Sequence, residues 1–175
     1  MSSAPDSLAK LRQMSPEELL ELGQDSLKQR LLEQATAAHQ KYAPLTLANL
    51  EALLADPACA RYPTRLVFEF GEMALHQFAD IDLDDDCLEE DRRVLCLRPV
   101  LRERPDLVVL AVAYMLPVLN YGEVVADEHC RLYGATLLGL MEEEFYRQIC
   151  ALADFAGCAP TPADPTEPGA CSGVS

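Results

Sequence analysis

The chain has 175 residues, half of them hydrophobic, and carries 29 acidic against 14 basic side chains for a formal charge of −15. That length and apolar content suffice for one sizeable core. The charge disfavours phosphate backbones and anionic membrane surfaces, both of which are held through Lys and Arg, so the partner expected is a protein, with no nucleic acid and no membrane.

The opening residues, MSSAPDSLAK, are polar and lack the apolar run of a signal peptide; residues 1–14 read as a flexible N-terminus. Ser15 then caps a helix, with Pro16 at its first position and Glu18 completing a capping box. The helix runs through Leu19, Leu22, Leu27, Leu31 and Leu32 to about Tyr42, and Pro44 ends it. A shorter helix follows in LTLANLEALLADP, capped by Thr46 and stopped before Pro57.

Pro63 and Thr64 open a third predicted helix, RLVFEFGEMALHQFADI, lasting to about Asp80. At helical spacing Arg65, Glu69, Glu72, His76 and Asp80 share one face, while Leu66, Val67, Phe70, Met73, Ala74 and Phe78 form the opposite, core-facing stripe. The acidic run DIDLDDDCLEED comes next. It fails as a calcium loop: counted from Asp80, the sixth position is Asp85 where glycine is needed and the twelfth is Asp91 rather than glutamate. Beyond it, Val94, Leu95, Leu97, Val100 and Leu101 fit either a short helix or an extended piece broken by Pro99.

Pro105 and Asp106 begin the most apolar stretch, whose uncharged portion covers residues 107–121. It is too short for a bilayer span and reads as the central buried helix. A fifth helix covers 122–139 and a sixth runs through MEEEFYRQICALADFAG, with three glutamates where the helix dipole favours them. Residues 159–175, rich in Pro, Gly, Ser and Thr, read as a disordered tail. The expectation is therefore an all-α bundle: a single domain over 15–158, with about six helices around the 107–121 segment.

Two surfaces stand out for chemistry. Glu69, Glu72 and His76 on one helix, and Glu123, Asp127 and His129 on another, could wall a divalent metal site for iron, zinc or manganese. The di-iron bundle pattern is absent, since Thr36, Met73 and Ala126 stand three residues before the histidines and no Glu-x-x-His occurs. A solvated helix face explains the first trio equally simply, and a hydrogen-bonded core histidine explains His129. His129 and Cys130 are adjacent and point about 100° apart on a helix, so they cannot form an activated nucleophile pair.

The second surface is Arg92, Arg93, Arg98, Arg102 and Arg104, five basic residues within 13 positions, offered either to a partner or to the preceding acidic run. Seven cysteines, an odd number with no Cys-x-x-Cys pair, argue against a disulfide framework and for reduced thiols in a cytoplasmic protein. Nucleotide-binding and hydrolase fingerprints are missing. The reading is a non-catalytic, acidic helical accessory or adaptor protein acting through protein–protein contacts, with a metal-binding helical protein or small metalloenzyme as the alternative. Should it form a homodimer, Leu137, Leu138, Leu140, Phe145 and Ile149 are the surface expected to pair.

Overall fold

The capping box at Ser15 forms as the sequence predicts. In the computed structural model of the protein, which describes Leu8, residues 10–83 and residues 91–157, Ser15 Oγ accepts from Glu18 N at 3.2 Å and Glu18 Oε2 accepts from Ser15 N at 2.7 Å. Helix α1 (Pro16–Tyr42) follows, and after a short turn α2 (Leu47–Ala55). Asn49 pins that turn: its Nδ2 donates to the carbonyls of Tyr42 and Pro44, while its Oδ1 accepts the Thr46 N–H.

The predicted third helix does not exist. Its residues form strand β1 (Thr64–Phe68), a run of turns, and strand β2 (Ala79–Leu83). The helical period in this stretch required Gly71 mid-helix, and Gly71 instead adopts φ +51, the left-handed region that suits glycine in a turn. Thr64, Val67 and Phe68 are β-branched or aromatic and favour a pleated surface. The ambiguous piece near Val94 resolves as β3 (Arg93–Leu97).

The three strands make one sheet in the order β1–β3–β2, β1 parallel and β2 antiparallel to β3, with Leu66 and Ile81 flanking Leu95 on either side. As the central strand, β3 buries Val94, Leu95 and Leu97, which is why it reads as an unbroken apolar run with no alternation. The protein is thus mostly helical but not all-α: five α-helices accompany a small three-stranded sheet among the described residues.

Helix α3 (Pro105–Tyr121) is the core, as expected, with ten buried residues including Pro117 and Asn120. The segment Pro105–Val124 is by length and composition apolar enough to cross a bilayer, yet 56% of its most apolar window lies inside the fold against the neighbouring elements. A 3₁₀ turn at Gly122–Val124 interrupts the predicted fifth helix, so α4 covers only Asp127–Leu138. It ends at Gly139, whose φ is +69 and whose missing Cβ leaves room for the His39 ring.

Helix α5 (Glu142–Gly157) packs on α4 through Phe145, whose ring lies where a Cβ on Gly134 would stand. Leu137, Phe145 and Ile149 are buried, and Leu138 and Leu140 pack against the same core. Three of the five residues expected to pair in a homodimer are therefore interior, and Leu138 and Leu140 are half-buried. Residues 84–90 of the acidic run and the 159–175 tail lie outside the described residues, as do residues 1–7.

Candidate functional site

The six residues proposed as metal ligands are not gathered. Glu69 follows β1, Glu72 and His76 are exposed in the β1–β2 connection, and Glu123 is exposed on the 3₁₀ turn. Asp127 accepts the Tyr114 hydroxyl at 2.5 Å and pairs with Arg131 one turn on. His129 is buried and its Nδ1 accepts the Ala126 N–H at 3.1 Å, closing the first turn of α4. That is the hydrogen-bonded core histidine, with its Nδ1 lone pair occupied. Among the described residues no three His, Cys, Asp or Glu side chains are placed to hold a metal ion.

Part of the wet stripe survives in another form. Strand alternation puts Arg65, Asp80 and Asp82 on the sheet face that also carries Cys96, and Glu69 extends that face just beyond β1. Burial, followed by Glu69, Asp80 and Asp82, pushes the Cys96 thiol up. Of the five residues expected on one helix face, Arg65, Glu69 and Asp80 thus share a sheet face, whereas Glu72 and His76 lie in the β1–β2 connection.

Within the arginine segment Arg98 alone is buried, while Arg92, Arg102 and Arg104 are exposed. Arg98, expected as a partner contact, is 2% exposed. Its Nε donates to the Gln77 carbonyl at 2.6 Å, its Nη2 to the Ala74 carbonyl at 2.7 Å and its Nη1 to the Ala156 carbonyl at 3.4 Å. One guanidinium thus ties the β1–β2 connection to the C-terminal end of α5, whose carbonyls carry the negative pole of the helix dipole. Arg102 lies over Phe68, and Arg104 lies over Phe155 while forking onto Asp106. Arg92 is exposed. No sequence spacing signals these pairings, because each aromatic sits on a distant element.

Arg93 is placed differently. Its guanidinium stacks 4.4 Å from the centre of the Tyr62 ring, and Arg61 lies 5.6 Å from the same ring. Both arginines line a cleft of about 620 Å³ between the sheet and the C-terminal end of α3. Its apolar wall includes Ile81, Met115 and Val118. Arg93 shares the inward sheet face with Leu95 and Leu97, whereas Asp80, also along the cleft, belongs by alternation to the opposite face. Asn120, 4% exposed, fixes the mouth: its Oδ1 accepts the Arg61 N–H at 2.8 Å and its Nδ2 donates to the Cys59 carbonyl at 2.8 Å. Arg93 Nη1 is buried and has no hydrogen-bond partner among the described residues.

A second exposed feature is the first half of α1. Leu31, Ala35 and Ala38 are its buried residues, and none lies before Leu31. At 3.6 residues per turn, Leu20 and Leu27 fall with those three inside one sector of roughly 80°. The core-facing stripe therefore continues N-terminally past the domain, where Leu20 is 66% exposed.

Cys59, Cys96 and Cys130 are not primed as nucleophiles. Burial, reinforced by Asp127, pushes Cys130 up to about 12, and burial with Asp56 pushes Cys59 up to about 11. Cys150 is exposed. No protein-family model, curated protein or solved structure significantly matches this chain.

Proposed function

We propose that this is a non-catalytic helical adaptor that holds another protein along the projecting half of α1. The observation that carries the reading is the continuation of the buried Leu31–Ala35–Ala38 stripe into solvent through Leu27 and Leu20. An amphipathic helix gains most of its stability from burying its apolar face, so a stripe that outruns its own domain is suited to a groove on a partner. Glu17, Glu18, Glu21 and Asp25 flank the stripe and favour a partner surface with basic rims.

The test is site-specific photo-crosslinking in cells, comparing Leu20→benzoylphenylalanine with Glu33→benzoylphenylalanine on the opposite face. The expected result is one discrete heteromeric adduct from position 20, absent from position 33 and lost when Leu27→Glu is added. Equal adducts from both positions, no adduct, or an adduct only with a second copy of this chain would overturn the reading.

A further inference from the structure

We propose, separately from the α1 reading, that the cleft beside Tyr62 is a binding site for a small organic carboxylate with an apolar body. Three observations converge on it. The cleft, at about 620 Å³, lies within the size range of small-ligand pockets and has the mixed lining they use, an apolar wall with a few polar groups. Arg93 and Arg61 both lie against the Tyr62 ring, so two cations border the same cleft. Arg93 Nη1 is withdrawn from solvent with no acceptor among the described residues, and buried donors are ordinarily satisfied.

The chemistry of the guanidinium then selects the ligand. A planar fork matches a carboxylate, and a donor left unsatisfied inside the protein is completed by an acceptor brought in from outside. Ile81, Met115 and Val118 offer an apolar surface, so a bare anion would leave half the cleft unused. Glu123 stands exposed along the same cleft and the whole chain is at −15, a field that a dianionic phosphate tolerates less well than a monoanionic carboxylate. Asn120 holds the Arg61 backbone in place before the ligand arrives, which limits the ordering required on binding.

The test is a titration of the full chain followed by amide NMR, with 4-phenylbutyrate, acetate and inorganic phosphate as separate probes at constant ionic strength. Expected are saturable shifts for 4-phenylbutyrate centred on Tyr62, Arg93 and Met115, with acetate and phosphate each at least tenfold weaker. Arg93→Gln is expected to weaken 4-phenylbutyrate at least tenfold, and Arg93→Lys, which keeps the charge and loses the fork, to fall between. Phosphate binding as tightly as 4-phenylbutyrate would overturn the carboxylate assignment. The proposal also fails if no probe saturates in the millimolar range, or if a folded Arg93→Gln or Arg93→Lys binds as well as the unaltered chain. Because the wild-type titration needs no variant, loss of folding in either substitution leaves the decision intact.

Discussion

Asn120 Oδ1 accepts the backbone N–H of Arg61 at 2.8 Å, joining the last turn of the central helix to a loop 59 residues earlier in the chain. The other end of the same amide donates to the Cys59 carbonyl, so both halves of a buried side chain are satisfied. Asn120→Ala strands the Arg61 N–H and the Cys59 carbonyl at once. The expected loss is about 2–3 kcal/mol, with faster hydrogen exchange at Arg61 than elsewhere in the sheet region. Denaturant melts and amide exchange check it; a change below about 0.5 kcal/mol would contradict the assignment of Asn120 as the clamp.

Gly134 sits against Phe145 so closely that a Cβ would stand 2.1 Å from the ring carbon Cζ. Phe145 is fully buried and cannot swing aside without opening the α4–α5 contact. Gly134→Ala should therefore cost at least about 2 kcal/mol despite alanine's better helix propensity. Pairing it with Phe145→Leu should recover part of that loss. Additive destabilisation in the double variant would show that the two positions are not in contact.

Arg98 has three carbonyl partners and no carboxylate among the described residues. Lysine keeps the charge but cannot reach three acceptors in divergent directions. Arg98→Lys is expected to destabilise by about 2–4 kcal/mol, and proteolysis should then begin in the 70–78 connection that the guanidinium holds. Cleavage starting in α1 instead would argue against the role given to Arg98.

Asp56 joins the C-terminal ends of α1 and α2. It accepts from Lys41 Nζ at 2.7 Å, from the Tyr42 hydroxyl at 2.8 Å and from the Ala58 N–H at 3.0 Å. These bonds, the Lys41 contact foremost, hold its carboxyl well below the usual carboxylate range. A lowered folded value contributes stability that is fully present above the ordinary carboxylate pKa near 3.8 and is lost as pH falls through the lowered one. The difference in Tm between the wild type and Asp56→Asn should be largest near pH 7 and shrink below about pH 4. A difference that stays constant from pH 7 to pH 2.5 would remove Asp56 from the acid response.

Among the described thiols, Cys59 and Cys130 are buried and raised while Cys150 is exposed. Iodoacetamide at pH 7.5 should label Cys150 in the folded protein and reach Cys59 and Cys130 only after denaturant is added. Mass spectrometry of the labelled peptides distinguishes the sites. Rapid native labelling of Cys130 would reopen it as a reactive group.

Local chemistry alone determined much of the helical part of this protein. The Ser15–Glu18 box, the prolines at 16, 44, 57 and 105, and the uncharged run ending at Tyr121 each act within a few residues, so α1, α2, α3 and α5 were legible with their ends nearly in place. The segment from Thr64 to Leu97 was not legible in that way. Its spacing satisfied a helix on paper, but β1 exists because Leu66 lies beside Leu95, and β2 because Ile81 lies beside the same residue from the other side. Strand pairing is non-local, and a half-turn of helix looks much like two residues of strand until the partner is known.

The same reason separates the sites. A metal face was inferred from residues one helical turn apart, and it dissolved once their helix became a sheet edge and a loop. The Arg93–Tyr62–Arg61 cluster, by contrast, needs the start of β3 brought beside the residues that precede β1, a juxtaposition created by the parallel pairing of β1 with β3. That Arg98 is buried and Arg93 faces a cleft was decided by tertiary packing, because key neighbours of each come from distant elements, Tyr62 for Arg93 and Ala156 for Arg98.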